Sequence, residues 1–275
     1  GRAEGMLQMG IVVKKFGGSS VATAEKIQAV AERIIRAKEE HDRVVVVVSA
    51  MGDTTDELID MAQKVCGAPY AHARELDQLL TTGEQMSIAL LAMALRSKGC
   101  PAISLTGPQA GIVTTPVSLK GKIRRIEPKR VLEELDKGKV VVVAGFQGLA
   151  ETGDLTTLGR GGSDTSAVAL AGALQADVCE ILTDVDGVYS ADPRIVPSAR
   201  KMKEITYNEM LEMARLGAVV MQPRAVEMGK NYGMPIHVRS TFTEIAETVI
   251  KEAYTMEEKK CAVRVVTHDT KVAKL

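Results

Sequence analysis

At 275 residues, 45% hydrophobic and 25% charged, the chain can bury a sizeable core and has the size of one large or two small soluble globular domains. Its 35 Lys and Arg balance 35 Asp and Glu, so no net field recruits nucleic acid or an anionic membrane; small molecules and other subunits are the expected partners. No apolar run approaches the ~20 residues that span a bilayer, and the N-terminus lacks a signal peptide's apolar block.

Residues 1–9 read as a leader or tag remnant. Ile11 to Phe16 and the valine run Val44 to Val48 are short, β-branched and bounded by Gly or Ser, as strands buried on both faces are. Between them, Ala22 to Glu39 sets Ala24, Ile27, Val30, Ala31, Ile34 and Ile35 at helical spacing. A helix over Asp56 to Val65, capped by Asp53 or Thr54, precedes a long helical stretch from about Ala71 to Lys98. Next come a strand at Ala102 to Leu105, a helix at Pro128 to Leu135 and a strand at Val140 to Ala144. An Ala-rich helix at Ser163 to Leu174 leads to a strand at Val178 to Leu182. Two helices fit within Tyr207 to Tyr232, before a strand at Pro235 to Val238. Thr243 to Glu258 reads as a polar helix and Ala262 to Val266 as a fresh strand, which either opens a further domain or completes the same sheet. This alternation predicts an α/β protein, a three-layer α/β/α sandwich with a mainly parallel central sheet.

In such a sheet, ligands bind outside the carboxyl ends of the strands, and four loops there carry chemistry. Lys14-Lys15-Phe16-Gly17-Gly18-Ser19-Ser20 joins a strand to a helix. Its glycines let backbone amides approach phosphate oxygens, and Lys15 adds a full positive charge. Neither G-x-x-x-x-G-K-[ST] nor G-x-G-x-x-G occurs, which argues against a P-loop NTPase and an ordinary dinucleotide dehydrogenase. Ser49 to Asp56 follows the valine run and is rich in hydroxyl and acidic groups that suit a polar substrate or a helix cap. In Thr156 to Ser166, three glycines surround Arg160, which can grip a carboxylate or phosphate bidentately, and Ser163 or Asp164 opens a helix. Asp164 beside a phosphate site suggests a magnesium or water partner. Thr183 to Arg194 supplies an aromatic and an arginine suited to a nucleotide, or is a surface loop of turn residues. The four cysteines show no C-x-x-C spacing, as fits a reducing cytoplasm, and the four histidines have no zinc-ligand spacing.

In order, KKFGGSSVA, VVVSAMGDTTDELI, LLTTGEQMSIALLAMAL, TTLGRGGSDTSAVALAGAL and ILTDVDGVYSADPR resemble the aspartate kinase branch of the amino acid kinase family, from about Ile11 to Phe242. The resemblance implies a kinase that uses ATP with Mg2+ to make 4-phospho-L-aspartate from L-aspartate, the first step toward lysine, threonine and methionine. It implies nucleotide-phosphate contacts at Lys15, Gly17, Gly18 and Ser19, and adenine and ribose contacts at Thr183, Asp184, Tyr189 and Arg194. Aspartate positions fall on Ser49, Thr55, Glu84 and Arg160, and Asp164 matches the acid near the transferred phosphate. Glu84 would hold the substrate ammonium and Arg160 its α-carboxylate; alternatively Glu84 opens a long helix, where an acid suits the dipole.

Some family members carry a nucleotide-contacting Lys where this chain has Val219, with Arg194 or Lys230 as candidates to compensate. Cys261 to Asp269 resembles the opening strand of a regulatory ACT domain. The expected organisation is therefore a catalytic domain over 10–242, then a linker and the start of that ACT domain over 243–275, with little or no feedback control by an end-product amino acid. A cytoplasmic homodimer is expected. The alternatives are a sister kinase acting on acetylglutamate, glutamate, carbamate or UMP, or a non-catalytic nucleotide-binding regulatory subunit; intact Lys15, Arg160 and Asp164 speak against the latter.

Overall fold

The structure, a computed structural model, describes residues 10–192, 194–215, 220–244 and 247–253. In chain order the first half comprises β1 (Ile11–Phe16), α1 (Ala24–Glu40), β2 (Arg43–Val48), α2 (Thr54–Cys66), α3 (Ala73–Ser97), β3 (Ala102–Leu105), β4 (Ile112–Thr114) and β5 (Ile123–Ile126). Then come α4 (Lys129–Asp136), β6 (Val140–Ala144), β7 (Gln147–Ala150), β8 (Leu155–Thr157), α5 (Gly162–Ala173) and β9 (Val178–Thr183). The remainder is β10 (Glu204–Thr206), α6 (Tyr207–Arg215), α7 (Pro223–Tyr232), β11 (Ile236–Ser240) and β12 (Thr248–Lys251).

Eight strands form the main sheet in the order β10-β12-β11-β9-β1-β2-β6-β3. From β11 to β3 every neighbouring pair is parallel, and β12 runs antiparallel to β11. The valines of β2 have no exposed surface, because helices cover both faces. Val12 and Phe16 pack with α1 and α3 on one side, while Ile11 and Val13 pack with α4, α5, α6 and α7 on the other. The expected three-layer sandwich is thus present. Strand alternation also separates the two neighbouring lysines of β1. Lys14 is buried on the α1 side, paired with Glu180, whose other oxygen accepts from Arg239 Nη1 at 3.2 Å. Burial pushes the Glu180 carboxyl up, but the Lys14 and Arg239 charges more than offset it and leave it below its ordinary range. Lys15 is left to face the α5 side.

Three expectations need correction. The polar helix over 243–258 is replaced at 248–251 by β12, where the β-branched Thr-Val-Ile run alternates buried and half-buried positions and pairs with β10 and β11. Asp53 precedes α2 without a side-chain capping bond, so the cap expected there is not made. The helix expected from Ala71 opens instead with a 3-10 turn, Pro69–His72, before α3 begins. The sequence also gave no warning of a second sheet, β5-β4-β7-β8, built from strands of three or four residues. The ACT-like strand expected at Cys261 to Asp269, the leader expected at 1–9 and Val219 lie outside the described residues.

Candidate active site

Chain order and strand order diverge at β1, which has β2 on one side and β9 on the other. The loops that follow these three strands therefore open a crevice at the carboxyl edge, the place where open parallel sheets bind ligands. After β1, Gly17 is extended and Gly18–Val21 forms a 3-10 turn. A Cβ added to Gly18 would sit 2.8 Å from the Ala50 carbonyl oxygen, so only glycine lets this turn press against the loop after β2. Gly52 N–H donates to the Gly18 carbonyl at 3.0 Å, locking the two loops together. Ser20 Oγ shares a 2.7 Å hydrogen bond with Thr241 Oγ1, and the Thr241 amide donates to the Thr183 carbonyl, which ties in the ends of β11 and β9.

Lys15 Nζ lies 2.7 Å from Asp164 Oδ1, both side chains mostly buried. It also lies 3.5 Å from the point where a Gly17 Cβ would be, so the ammonium hangs over the glycine turn. Asp164 stands in the first turn of α5, which begins at Gly162 after Gly161 in a left-handed conformation, one residue earlier than the sequence suggested. Asp164 Oδ1 is buried without hydrogen-bond geometry to any donor, so the contact with Lys15 is an ion pair by distance alone. An oxygen so placed fits Mg2+, which takes one or two carboxylates and completes its shell with phosphates and water. No group of three or more His, Cys, Asp or Glu side chains is gathered for a metal among the described residues.

Glu84 is 2% exposed and lies halfway along α3, not at its start, so the helix-dipole explanation for it does not apply. Its Oε1 accepts from the Ala50 amide at 3.3 Å, and its Oε2 is buried with no partner. Burial pushes its carboxyl up to about 8 against the smaller opposing pull of backbone hydrogen bonds. Gly83 beside it has room for no more than a close contact with Ala50 Cβ, which keeps α3 tight against the loop after β2. Ser49 and Thr55 are half-buried in that loop and at the start of α2.

Arg160 is exposed on the loop from β8 to α5, flanked by Gly159 at φ 74° and Gly161 at φ 72°. The expected nucleotide positions are less gathered. Ser19 and Asp184 are exposed, and Thr183 Oγ1 donates to Asp184 at 3.0 Å. Tyr189 donates to Asp186, which also pairs with Lys201 at 2.9 Å. Arg194 is 87% exposed and paired with Asp192 at 2.7 Å; no described contact joins it to Lys15 or Asp164. Lys230 donates to Asn208 instead of reaching a phosphate site.

Sequence reasoning passed over Asp77. It is fully buried two turns before Glu84, and its carboxylate accepts from Leu119 N, Thr157 N at 3.0 Å and Thr157 Oγ1 at 2.7 Å. An acid next to Leu76 and one helical turn before Leu80 and Thr81, on the buried side of the helix, was the available signal.

The sequence model described as "Amino acid kinase family" matches residues 10–240. The chain belongs to the amino acid kinase family. An aspartokinase of Bacillus sp. (strain MGA3) is 57% identical over 250 residues, which are 91% of this chain and 60% of that protein. Among solved structures, aspartate kinase from Synechocystis is 52% identical with a TM-score of 0.78, covering 90% of this chain and 40% of that one. E. coli aspartokinase III in complex with aspartate and ADP is 26% identical with a TM-score of 0.79, covering 90% of this chain and 65% of that one. The chain thus spans about 60% of the length of the curated relatives it matches. Among the described residues no helix is long and apolar enough to cross a membrane.

Proposed function

We propose that this chain carries the catalytic part of an aspartate kinase, moving the γ-phosphoryl group of ATP onto the side-chain carboxylate of L-aspartate to give 4-phospho-L-aspartate and ADP. The observation that carries this is the buried, half-unpaired Glu84 carboxylate at the loop after β2, beside the glycine turn over which Lys15 hangs. A buried acid without a counter-charge suits a substrate that brings its own ammonium. The aspartokinase relatives and the aspartate and ADP complex of the E. coli enzyme support the same substrates.

The accepting carboxylate, with a pKa near ~4, is ionised at neutral pH, so no residue need act as a general base. The difficulty is bringing two anions together. Lys15 and the Gly17, Gly18 and Ser19 amides would receive the phosphate oxygens, leaving Asp164 to exchange its lysine partner for a cation at the phosphates. Mg2+, when bound there, would neutralise charge on the transferring group. Ser49 and Thr55 would hydrogen-bond the substrate, Glu84 would hold its ammonium and Arg160 its α-carboxylate. Thr183, Asp184, Tyr189 and Arg194 would line the adenosine, with Arg194 leaving Asp192 to do so.

The catalytic domain expected over 10–242 is supported by the family match over 10–240 and extends in this reading to β12, which lies between β11 and the edge strand β10 of the same sheet. A cytoplasmic homodimer is part of the reading; the dimer is supported by Met86, Leu90 and Met93, which are 51%, 38% and 58% exposed along one side of α3. The test is ATP turnover with Mg2+ against a panel of amino acids, trapping acyl phosphate with hydroxylamine. Hydroxamate with aspartate alone is expected. Hydroxamate with acetylglutamate or glutamate would point to a sister kinase, and ATP binding without turnover to a regulatory subunit.

A further inference from the structure

The loop that presents Arg160 is held unevenly. On one flank, the Thr157 amide and hydroxyl donate to Asp77, and the Leu158 amide donates to the Phe146 carbonyl at 2.9 Å. On the other flank lies a cavity of about 260 Å³, lined by Leu158, Thr165, Ile123 and Met228, which leaves the Leu158 side of the loop open to it. Arg160 itself sits between two glycines in left-handed conformations, the residue type that restrains a backbone least. Across this flank Arg224, in the first turn of α7, donates from Nη1 to the Leu158 carbonyl at 3.2 Å, while Thr165 Oγ1 donates to the Gly161 carbonyl at 3.3 Å. The neighbours of Arg224 aim it. Pro223 at the first helical position fixes the entry of the chain into α7. The Gln222 side chain fills the notch left by Gly161, where an added Cβ would come within 1.7 Å of it.

We propose that Arg224 is a positioning residue for Arg160, holding the Leu158 carbonyl so that the neighbouring guanidinium meets the substrate's α-carboxylate in one orientation. The proposal rests on Arg160 being that carboxylate's partner. Arg224 touches neither nucleotide nor amino acid; it acts through the loop. Its removal therefore frees Arg160 to sample other orientations, which weakens the aspartate complex and leaves the phosphate turn around Lys15 unchanged.

The experiment is steady-state kinetics by hydroxamate trapping on wild type, Arg224→Ala, Arg224→Met, Arg224→Lys, Arg160→Ala and the double variant Arg160→Ala/Arg224→Ala, each with a thermal melt. Arg224→Met keeps the apolar stem and so guards against a folding defect in the alanine variant. The expected result is a KM for aspartate raised about tenfold in Arg224→Ala and Arg224→Met, with the KM for ATP and the melting temperature unchanged. Arg224→Lys should recover part of the loss. In the Arg160→Ala background, removing Arg224 should add nothing, because residues acting as a unit are non-additive. An aspartate KM that Arg224→Met leaves unchanged, while Arg160→Ala raises it, overturns the proposal alone, as does a full additive penalty in the double variant. An unchanged aspartate KM in Arg160→Ala overturns the assignment beneath it, and the proposal with it.

Discussion

Two carboxylates on α3, seven residues apart and on the same helix face, are both removed from solvent: Asp77 is 0% exposed and Glu84 2%. Their surroundings differ completely. Asp77 collects donors from Leu119 and Thr157, so its charge is solvated by the protein and it pins the second sheet to α3. Glu84 has one 3.3 Å hydrogen bond and an oxygen with no partner. A buried polar atom left unsatisfied is costly, and a fold keeps one where a ligand completes it. Asp77 is therefore framework, and Glu84 is read as site, although both acids look alike in sequence.

Exchanging the roles of these acids should separate stability from activity. The largest effect is expected from Asp77→Ala, which strands the Leu119 amide and both donors of Thr157. With each stranded donor costing about 1–3 kcal/mol, the loss should be on the order of 3 kcal/mol or more, read as a melting temperature lowered by roughly 10 °C. An unshifted melt would show that the carboxylate is not structural. Glu84→Gln should do the reverse: kcat/KM for aspartate falling about a hundredfold with the melt at neutral pH unchanged or raised. Loss of stability without loss of aspartate affinity would place Glu84 with Asp77 in the framework.

A smaller effect concerns pH. The folded Glu84 carboxyl titrates near about 8, above its unfolded value of 4.5. Between those values the folded chain keeps a proton that the unfolded chain has released, so this group makes ligand-free stability fall as pH rises through the window and level off above it. Urea titrations of wild type and Glu84→Gln across that range should show the difference between them narrowing toward low pH. Parallel curves would mean that Glu84 is ionised throughout.

How legible all this was depended on whether a residue's role is local. The β-branched runs of β1, β2 and β6, the glycine turn over Gly17 and Gly18, and the loop around Arg160 announce themselves because strand burial and left-handed turns demand particular residue types. Lys14 and Lys15 are indistinguishable as letters; the pleat and the partners on β9 and α5 send one to Glu180 and the other to Asp164. Asp77 and Arg224 escaped notice because their partners, mostly backbone groups, lie far along the chain, which no spacing rule marks. The short strands of the second sheet were missed for a related reason, since three or four residues carry too little periodicity to register. β12 was misread as helix because Glu247 and Lys251, which suit a solvated helix face, here engage His237 and Glu204 beside a half-covered sheet.

The central claim is that Glu84 stands protonated in the free protein and meets the substrate's ammonium as a carboxylate. Calorimetric titration of wild type and Glu84→Gln with L-aspartate near pH 7, repeated in buffers of different ionisation enthalpy, counts the protons exchanged. The account predicts release of about one proton per aspartate bound by wild type and none by Glu84→Gln, since a group titrating near 8 must give up its proton to pair with a cation. A binding enthalpy for wild type that does not change with the buffer would contradict it.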